Sequence, residues 1–151
     1  MRSVKLHVEA GHDQIYLYEY SFVEDSTPVV PFTEVRGATH CAQTMAVLDG
    51  NFPVTLDETN LSKEYKQMKS VIREMWYNFV VHGKPVPEGS FLPSWPPVSA
   101  NGSPYMSLGQ SVELGGVLLE ERVRFWDGIY QKYYRHPVPP PPPPPEKHHE
   151  L

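Results

Sequence analysis

The run Ile15-Tyr16-Leu17-Tyr18-Glu19-Tyr20-Ser21-Phe22 carries an apolar or aromatic side chain at every position except Glu19 and Ser21. A strand built this way offers no face to water. It reads as a strand covered on both sides, the setting of a parallel sheet between helices. Such a strand is not stable alone, so its neighbours decide what the chain can become. Residues 84 to 118 are broken by Pro85, Pro87, Pro93, Pro96, Pro97 and Pro104 and read as a long excursion over a surface. The expectation is therefore one strong strand, at most a second, and apolar faces for which this chain supplies no partners.

Helices are easier to place. Tyr65, Met68, Val71, Ile72, Met75, Trp76, Phe79 and Val80 recur every three to four residues, with Lys63, Lys66, Lys69 and Arg73 largely on the other side. Asp57, Glu58, Thr59 and Ser62 supply acidic and capping groups for its start, Gly83 stops it and Pro85 prevents resumption. A second amphipathic helix is predicted over Leu118 to Tyr134, with Leu119, Val123, Trp126, Tyr130 and Tyr133 in register and Pro137 at its end. The first residues read as the last turns of a helix, with Val4 and Val8 at helical spacing and Gly11 as its stop. A short helical stretch fits Cys41 to Leu48, with Met45 and Leu48 on one side and a turn at Asp49-Gly50-Asn51.

Composition narrows the function classes. A chain of 151 residues is long enough for one domain with a core. Its net charge is −5 and no patch concentrates Lys and Arg, so the footprint of a nucleic-acid binder is missing. No stretch approaches the ~18 consecutive apolar residues of a membrane span. The first ten residues have neither the apolar core nor the cleavage site of a signal peptide, and a chain opening in the last turns of a helix is expected to be cut from something longer. The single cysteine, Cys41, makes no internal disulfide and is expected to be a free, buried thiol.

One histidine stands in a setting suited to chemistry. His40 lies in Arg36-Gly37-Ala38-Thr39-His40-Cys41-Ala42-Gln43-Thr44, between the aromatic strand and a helical segment. A neutral imidazole in such a loop can take a proton from a serine hydroxyl and return it to a leaving alcohol, if a carboxylate holds its other nitrogen. Gly109-Gln110-Ser111-Val112-Glu113 fails the Gly-x-Ser-x-Gly elbow at its last position and follows His40 rather than preceding it. Gly115-Gly116 is preceded by Leu114, so it is not a His-Gly-Gly oxyanion segment.

These pieces, in this order, resemble the C-terminal part of the type-B carboxylesterases, the carboxylesterase and cholinesterase family of α/β-hydrolases. Gly37-Ala38-Thr39-His40 matches the family's Gly-Ala-x-His. Cys41-Ala42-Gln43-Thr44 departs from the Gly-Asp-Asp/Glu-Leu/Ile that usually follows, and is similar to some insect members. Trp76, Asn78, Phe79, Gly83 and Pro85 stand where the family carries Trp-Thr-Asn-Phe-Ala-x-x-Gly-x-Pro. Trp95-Pro96-Pro97 resembles the family's Trp-Pro-x-Tyr, Pro104-Tyr105-Met106-Ser107-Leu108 its short Tyr-Leu-x-Ile strand, and Phe125, Trp126 and Tyr130 its last helix. The resemblance implies an α/β fold of which this chain supplies the last strand or strands, the histidine loop and two C-terminal helices, incomplete as given. It implies residues 1–137 as the end of a carboxylesterase domain and 138–151 as a tail. It further implies His40 as the triad histidine of a serine hydrolase acting on a small carboxylic ester without a cofactor, the nucleophile, triad acid and oxyanion hole lying elsewhere. A chain holding the histidine alone is expected to be inactive, because removing the serine from such a unit abolishes nearly all its triad-specific rate.

The tail carries two partner signals. His148-His149-Glu150-Leu151 resembles the Lys/His-Asp-Glu-Leu address read by the retention receptor of the endoplasmic reticulum, with His149 in place of Asp. It points to the secretory pathway. Pro139 to Pro145 is a run of seven prolines that adopts polyproline II and reads chiefly as a spacer holding residues 146–151 away from the body. It is also a candidate ligand, with Arg135 beside it, for a proline-binding module. His136, His148 and His149 do not have the spacing of a metal site. The alternatives are a non-catalytic, cholinesterase-like binding or adhesion protein, and a truncated product using the proline run for interaction.

Overall fold

The computed structural model describes residues 1–51, 54–55, 57–134 and 139–143. In chain order the elements are α1 (Arg2–Glu9), β1 (Tyr18–Tyr20), α2 (Ala42–Leu48), β2 (Gly50–Asn51), β3 (Val54–Thr55), a 3-10 turn (Glu58–Asn60), α3 (Lys63–His82), β4 (Tyr105–Leu108), β5 (Val112–Gly115) and α4 (Glu120–Tyr133). They fall into two compact units. One gathers Met1–Leu17, Pro96–Tyr105 and Gly115–Leu151, and the other Tyr18–Trp95 and Met106–Leu114.

The second unit contains the sheet, in the order β1-β4-β5. Tyr18, Glu19 and Tyr20 lie opposite Met106, Ser107 and Leu108 in parallel register. Just beyond the pair, Ser21 N–H donates to Leu108 O at 3.0 Å. Two expectations are corrected here. The strand spans three residues rather than eight and is half-buried, not covered on both faces. Its partners do come from this chain. Met106 and Leu108 alternate inward along β4, and both are essentially inaccessible to water. The segment read as a surface excursion also sends Leu92 and Trp95 into this unit's core. Proline-rich backbone suppresses regular structure but does not stop side chains from packing, which is why composition misleads there.

The helix α3 forms for the reasons visible in its sequence. The hydroxyl oxygen of Ser62 accepts from Tyr65 N–H at 2.9 Å and caps the start. Gly83, at φ +71°, takes the left-handed conformation at the end. Met68, Val71, Ile72 and Met75 are buried along one face. Tyr65 reaches Phe22, ring centroids 6.2 Å apart, and Trp95 meets Tyr18 edge-on at the same separation. The expected polar face is partly wrong, because Lys69 is buried. Beyond Met75 the helix leaves Trp76, Tyr77, Val80 and Val81 exposed.

In the other unit α1 ends as expected, with Gly11 at φ +93°. Val98, also from the proline-rich segment, is buried and donates its N–H to Ile15 O at 2.8 Å. Helix α4 is present but its apolar stripe is not covered. Phe125, Trp126, Tyr130 and Tyr133 are all exposed, and no residue of α4 is buried. Periodicity reports which face a helix would bury; Arg2 of α1 reaches it over the Tyr130 ring at 5.8 Å, and the aromatic rings stay exposed. Arg135, His136, Pro137 and Pro144 to Leu151 lie outside the described residues.

Candidate functional site

His40 sits in a tight turn. The carbonyl of Thr39 accepts from Ala42 N–H at 3.1 Å, which closes four residues with His40 and Cys41 at the two central positions. Cys41 has φ 64° and ψ 8°, a left-handed geometry that glycine adopts without strain. This is the position where the resembling motif carries Gly. Cys41 O then accepts from Met45 N–H at 2.9 Å and α2 begins. His40 thus lies within the backbone reversal that leads into a helix, and it is exposed. Cys41 is free but half-buried, not fully buried as expected.

The loop leading to the turn is held by its own polar groups. Glu24 N–H donates to Thr27 Oγ1 and Thr27 N–H returns to Glu24 O, both at 2.9 Å. Val30 N–H donates to Val35 O at 2.8 Å, and Thr33 Oγ1 bridges between Val30 O and Val35 N–H. Arg36 closes the loop with a hydrogen bond to Asp25 O.

The other side of the turn is fastened to α3. Arg73 Nε–H is shared between Ala46 O at 3.1 Å and Val47 O at 3.0 Å, the carbonyls that α2 leaves open at its C-terminus. The Arg73 guanidinium and the Lys69 ammonium each lie 2.5 Å from Asp49 Oδ1. These hydrogen bonds, from Arg73 first and Lys69 second, hold the Asp49 carboxyl below its usual range. Two cations at the end of α2 also complement its dipole. Leu48 is exposed, and Ala46 is the residue of α2 that is buried. Lys69 and Arg73 stand on the side of α3 that periodicity turns away from the apolar face; their i,i+4 spacing puts them together, but nothing in the sequence names Asp49 as their common partner.

A cavity of about 330 Å³ lies beside the turn. Ala38, Thr39, Ala42 and Met45 form one side, and Tyr20, Phe22, Leu61 and Tyr65 another. Burial, then the nearby Tyr65 and the Glu24 carboxylate, push the Tyr20 hydroxyl up to about 12. Burial and Glu24 also raise Tyr65. The lining is thus neutral hydroxyl and hydrocarbon at pH 7, with Glu24 as its charged group. It suits an uncharged organic moiety, and His40 is not part of its wall. Among the described residues no carboxylate hydrogen-bonds His40. No group of three His, Cys, Asp or Glu that could hold a metal is formed among the described residues, and no described helix is long and apolar enough to cross a membrane.

Comparison with known proteins places most of the chain in one family. The family model described as "Carboxylesterase family" matches residues 1–126. Carboxylesterase 4A of Bos taurus is 28% identical over 131 residues, which cover 87% of this chain and 22% of the relative. The chain therefore spans about a fifth of that relative's length. The crystal structure of juvenile hormone esterase from Manduca sexta, with OTFP covalently attached, superposes with a TM-score of 0.63 at 23% identity, over 86% of this chain and 25% of that one. That likeness shows the fold: mixed helix and sheet, corresponding to part of an α/β-hydrolase.

Proposed function

The chain belongs to the carboxylesterase family, and from that premise we propose that it is the C-terminal part of a serine esterase, with His40 as the triad histidine. The observation that carries this is the exposed histidine at a tight turn between a parallel strand and a helix, inside the segment the family matches. In the assembled enzyme a serine from another segment attacks the carbonyl of a small carboxylic ester. His40 takes the serine proton and delivers it to the leaving alcohol, and an Asp or Glu orients its ring. His40 then deprotonates the water that releases the acid. Knitting of the 24–36 loop and the Arg73 contacts on α2 support this role by holding the turn from both ends. Residues 1–137 form the end of the hydrolase domain and 138–151 a tail.

Two experiments test the proposal. Reading the transcript upstream of Met1 should reveal a Gly-x-Ser-x-Gly elbow followed by an Asp or Glu; a frame without the elbow points to a non-catalytic relative. The isolated chain should release no p-nitrophenol from a p-nitrophenyl ester, whereas His40→Ala in the elbow-bearing protein should lower kcat by roughly 10³-fold or more. A product burst from the isolated chain contradicts the assignment.

The family and the tail together favour the lumen of the endoplasmic reticulum, with His148, His149, Glu150 and Leu151 as the retention address. Residues 146–151 fused to a secreted reporter should keep it inside the cell. Secretion equal to that of a tail ending in Ala removes the idea.

A further inference from the structure

The proline run, expected to act as a spacer, makes a specific contact with its own chain. Pro140 lines a cavity of about 420 Å³ together with Arg2, Leu6, His7, Tyr130 and Tyr134. Next to it, His12 Nε2 lies 2.8 Å from Pro141 O. A carbonyl only accepts, so this ring nitrogen carries the proton and donates.

The surroundings have the chemistry that reads polyproline. A proline run has no backbone N–H, and in polyproline II its carbonyls point outward without internal partners. A surface that recognises it needs flat apolar rings for the pyrrolidines and donors for the carbonyls. Tyr130 and Tyr134, one turn apart, meet edge-to-face with centroids 5.9 Å apart, and both remain exposed. Arg2 lies over the Tyr130 ring at 5.8 Å. The His7 ring is 5.4 Å from that of His12, and its Nδ1–H is committed to Ser3 O at 2.8 Å, which leaves His12 as the donor that meets the run. Space remains around Pro140, so the groove is larger than the one ring lining it.

We infer that Tyr130, Tyr134 and His12 form a binding groove for a polyproline II segment, and that its resident ligand is the chain's own proline run, seated through Pro140 and Pro141. The run begins five residues after Tyr134, so its effective concentration at the groove is on the order of millimolar. A site of weak intrinsic affinity is then filled in cis, and the seated run is withheld from proline-binding modules. This does not depend on the esterase assignment.

The test uses a fluorescein-labelled peptide of residues 138–147 and two full-length chains: the native one, and one with Pro139–Pro145 replaced by seven Gly/Ser residues. Anisotropy should show the peptide binding the substituted chain at least tenfold more tightly than the native chain. Adding His12→Ala to the substituted chain should weaken binding about tenfold, and His12→Gln, which keeps a donor, should restore part of it. Equal binding to both chains, no binding to the substituted chain, or indifference to His12→Ala overturns the inference. NMR of the unaltered native chain is a control that needs no variant. Cross-peaks between proline ring protons and the Tyr134 ring should appear at every protein concentration. Their absence refutes the groove, and cross-peaks that grow with concentration assign the run to a second copy and refute the cis contact.

Discussion

Replacing Arg73 by Ala removes the fastening of α2. The Nε–H serves Ala46 O and Val47 O at 3.1 and 3.0 Å, a single donor shared by two carbonyls. A hydrogen bond from a charged donor contributes about 1.5–3 kcal/mol, and Arg73 is 37% exposed, which places this one at the low end. The ion pair with Asp49 adds little, because Asp49 faces water and its attraction is screened. The expected loss is roughly 1.5–2 kcal/mol, with the carbonyls of α2 left to water. Arg73→Lys should recover part of it, since an ammonium keeps the charge but not the planar fork that reaches carbonyls and carboxylate together.

Urea unfolding followed by tryptophan fluorescence suits the measurement, because Trp76 and Trp95 lie in the same unit as Arg73. The midpoint should fall while the denaturant slope stays constant. A loss below about 0.5 kcal/mol, the scatter of ordinary surface substitutions, would refute the claim that α2 is held from α3. Asp49→Asn supplies the pH signature. The folded Asp49 carboxyl titrates below its usual 3.8, so its contribution is present above pH 3.8 and disappears as pH falls through the folded value. Native chain and Asp49→Asn should differ at neutral pH and converge in acid; a gap that persists unchanged at pH 2 contradicts the assignment.

Other consequences are simpler to state. Ser62→Ala leaves Tyr65 N–H without its cap and should cost about 1 kcal/mol, read from the same urea curves. Gly115→Ala places a Cβ within the ring of Tyr105, so the variant should unfold at a clearly lower temperature, and an unchanged Tm would show that Tyr105 moves freely. Tyr20, raised from 10.0 to about 12 by burial, favours the folded state below pH 10, and that contribution is lost as pH rises toward 12. The chain should destabilise over that window, and Tyr20→Phe should remove that share of the loss. Absorbance near 295 nm should show one tyrosine ionising about two units late.

The local elements were legible where one short stretch settles them. The caps and periodicity of α3 are complete between Ser62 and Gly83, and the structure places the helix there. Gly11 ends α1, and the turn at His40 was visible as a loop between strand and helix. What failed involved partners far away in the chain. Lys69 and Arg73 read as solvent-facing because charge usually is, and only folding brings Asp49 to them. The proline run read as a spacer because its composition forbids a helix or sheet, which says nothing about a groove that could receive it.

By itself the sequence determined the caps of α3, the stop of α1, the parallel character of β1 and the candidacy of His40, because propensity, capping and motif order act over a few residues. Tertiary structure alone decided that the strand over Tyr105–Leu108 pairs with β1 and is joined by β5, that Leu92, Trp95 and Val98 are core, and that Arg73 anchors the helix after His40. Those outcomes depend on which surfaces meet, and a surface is defined by contacts between segments tens of residues apart, which no local pattern records.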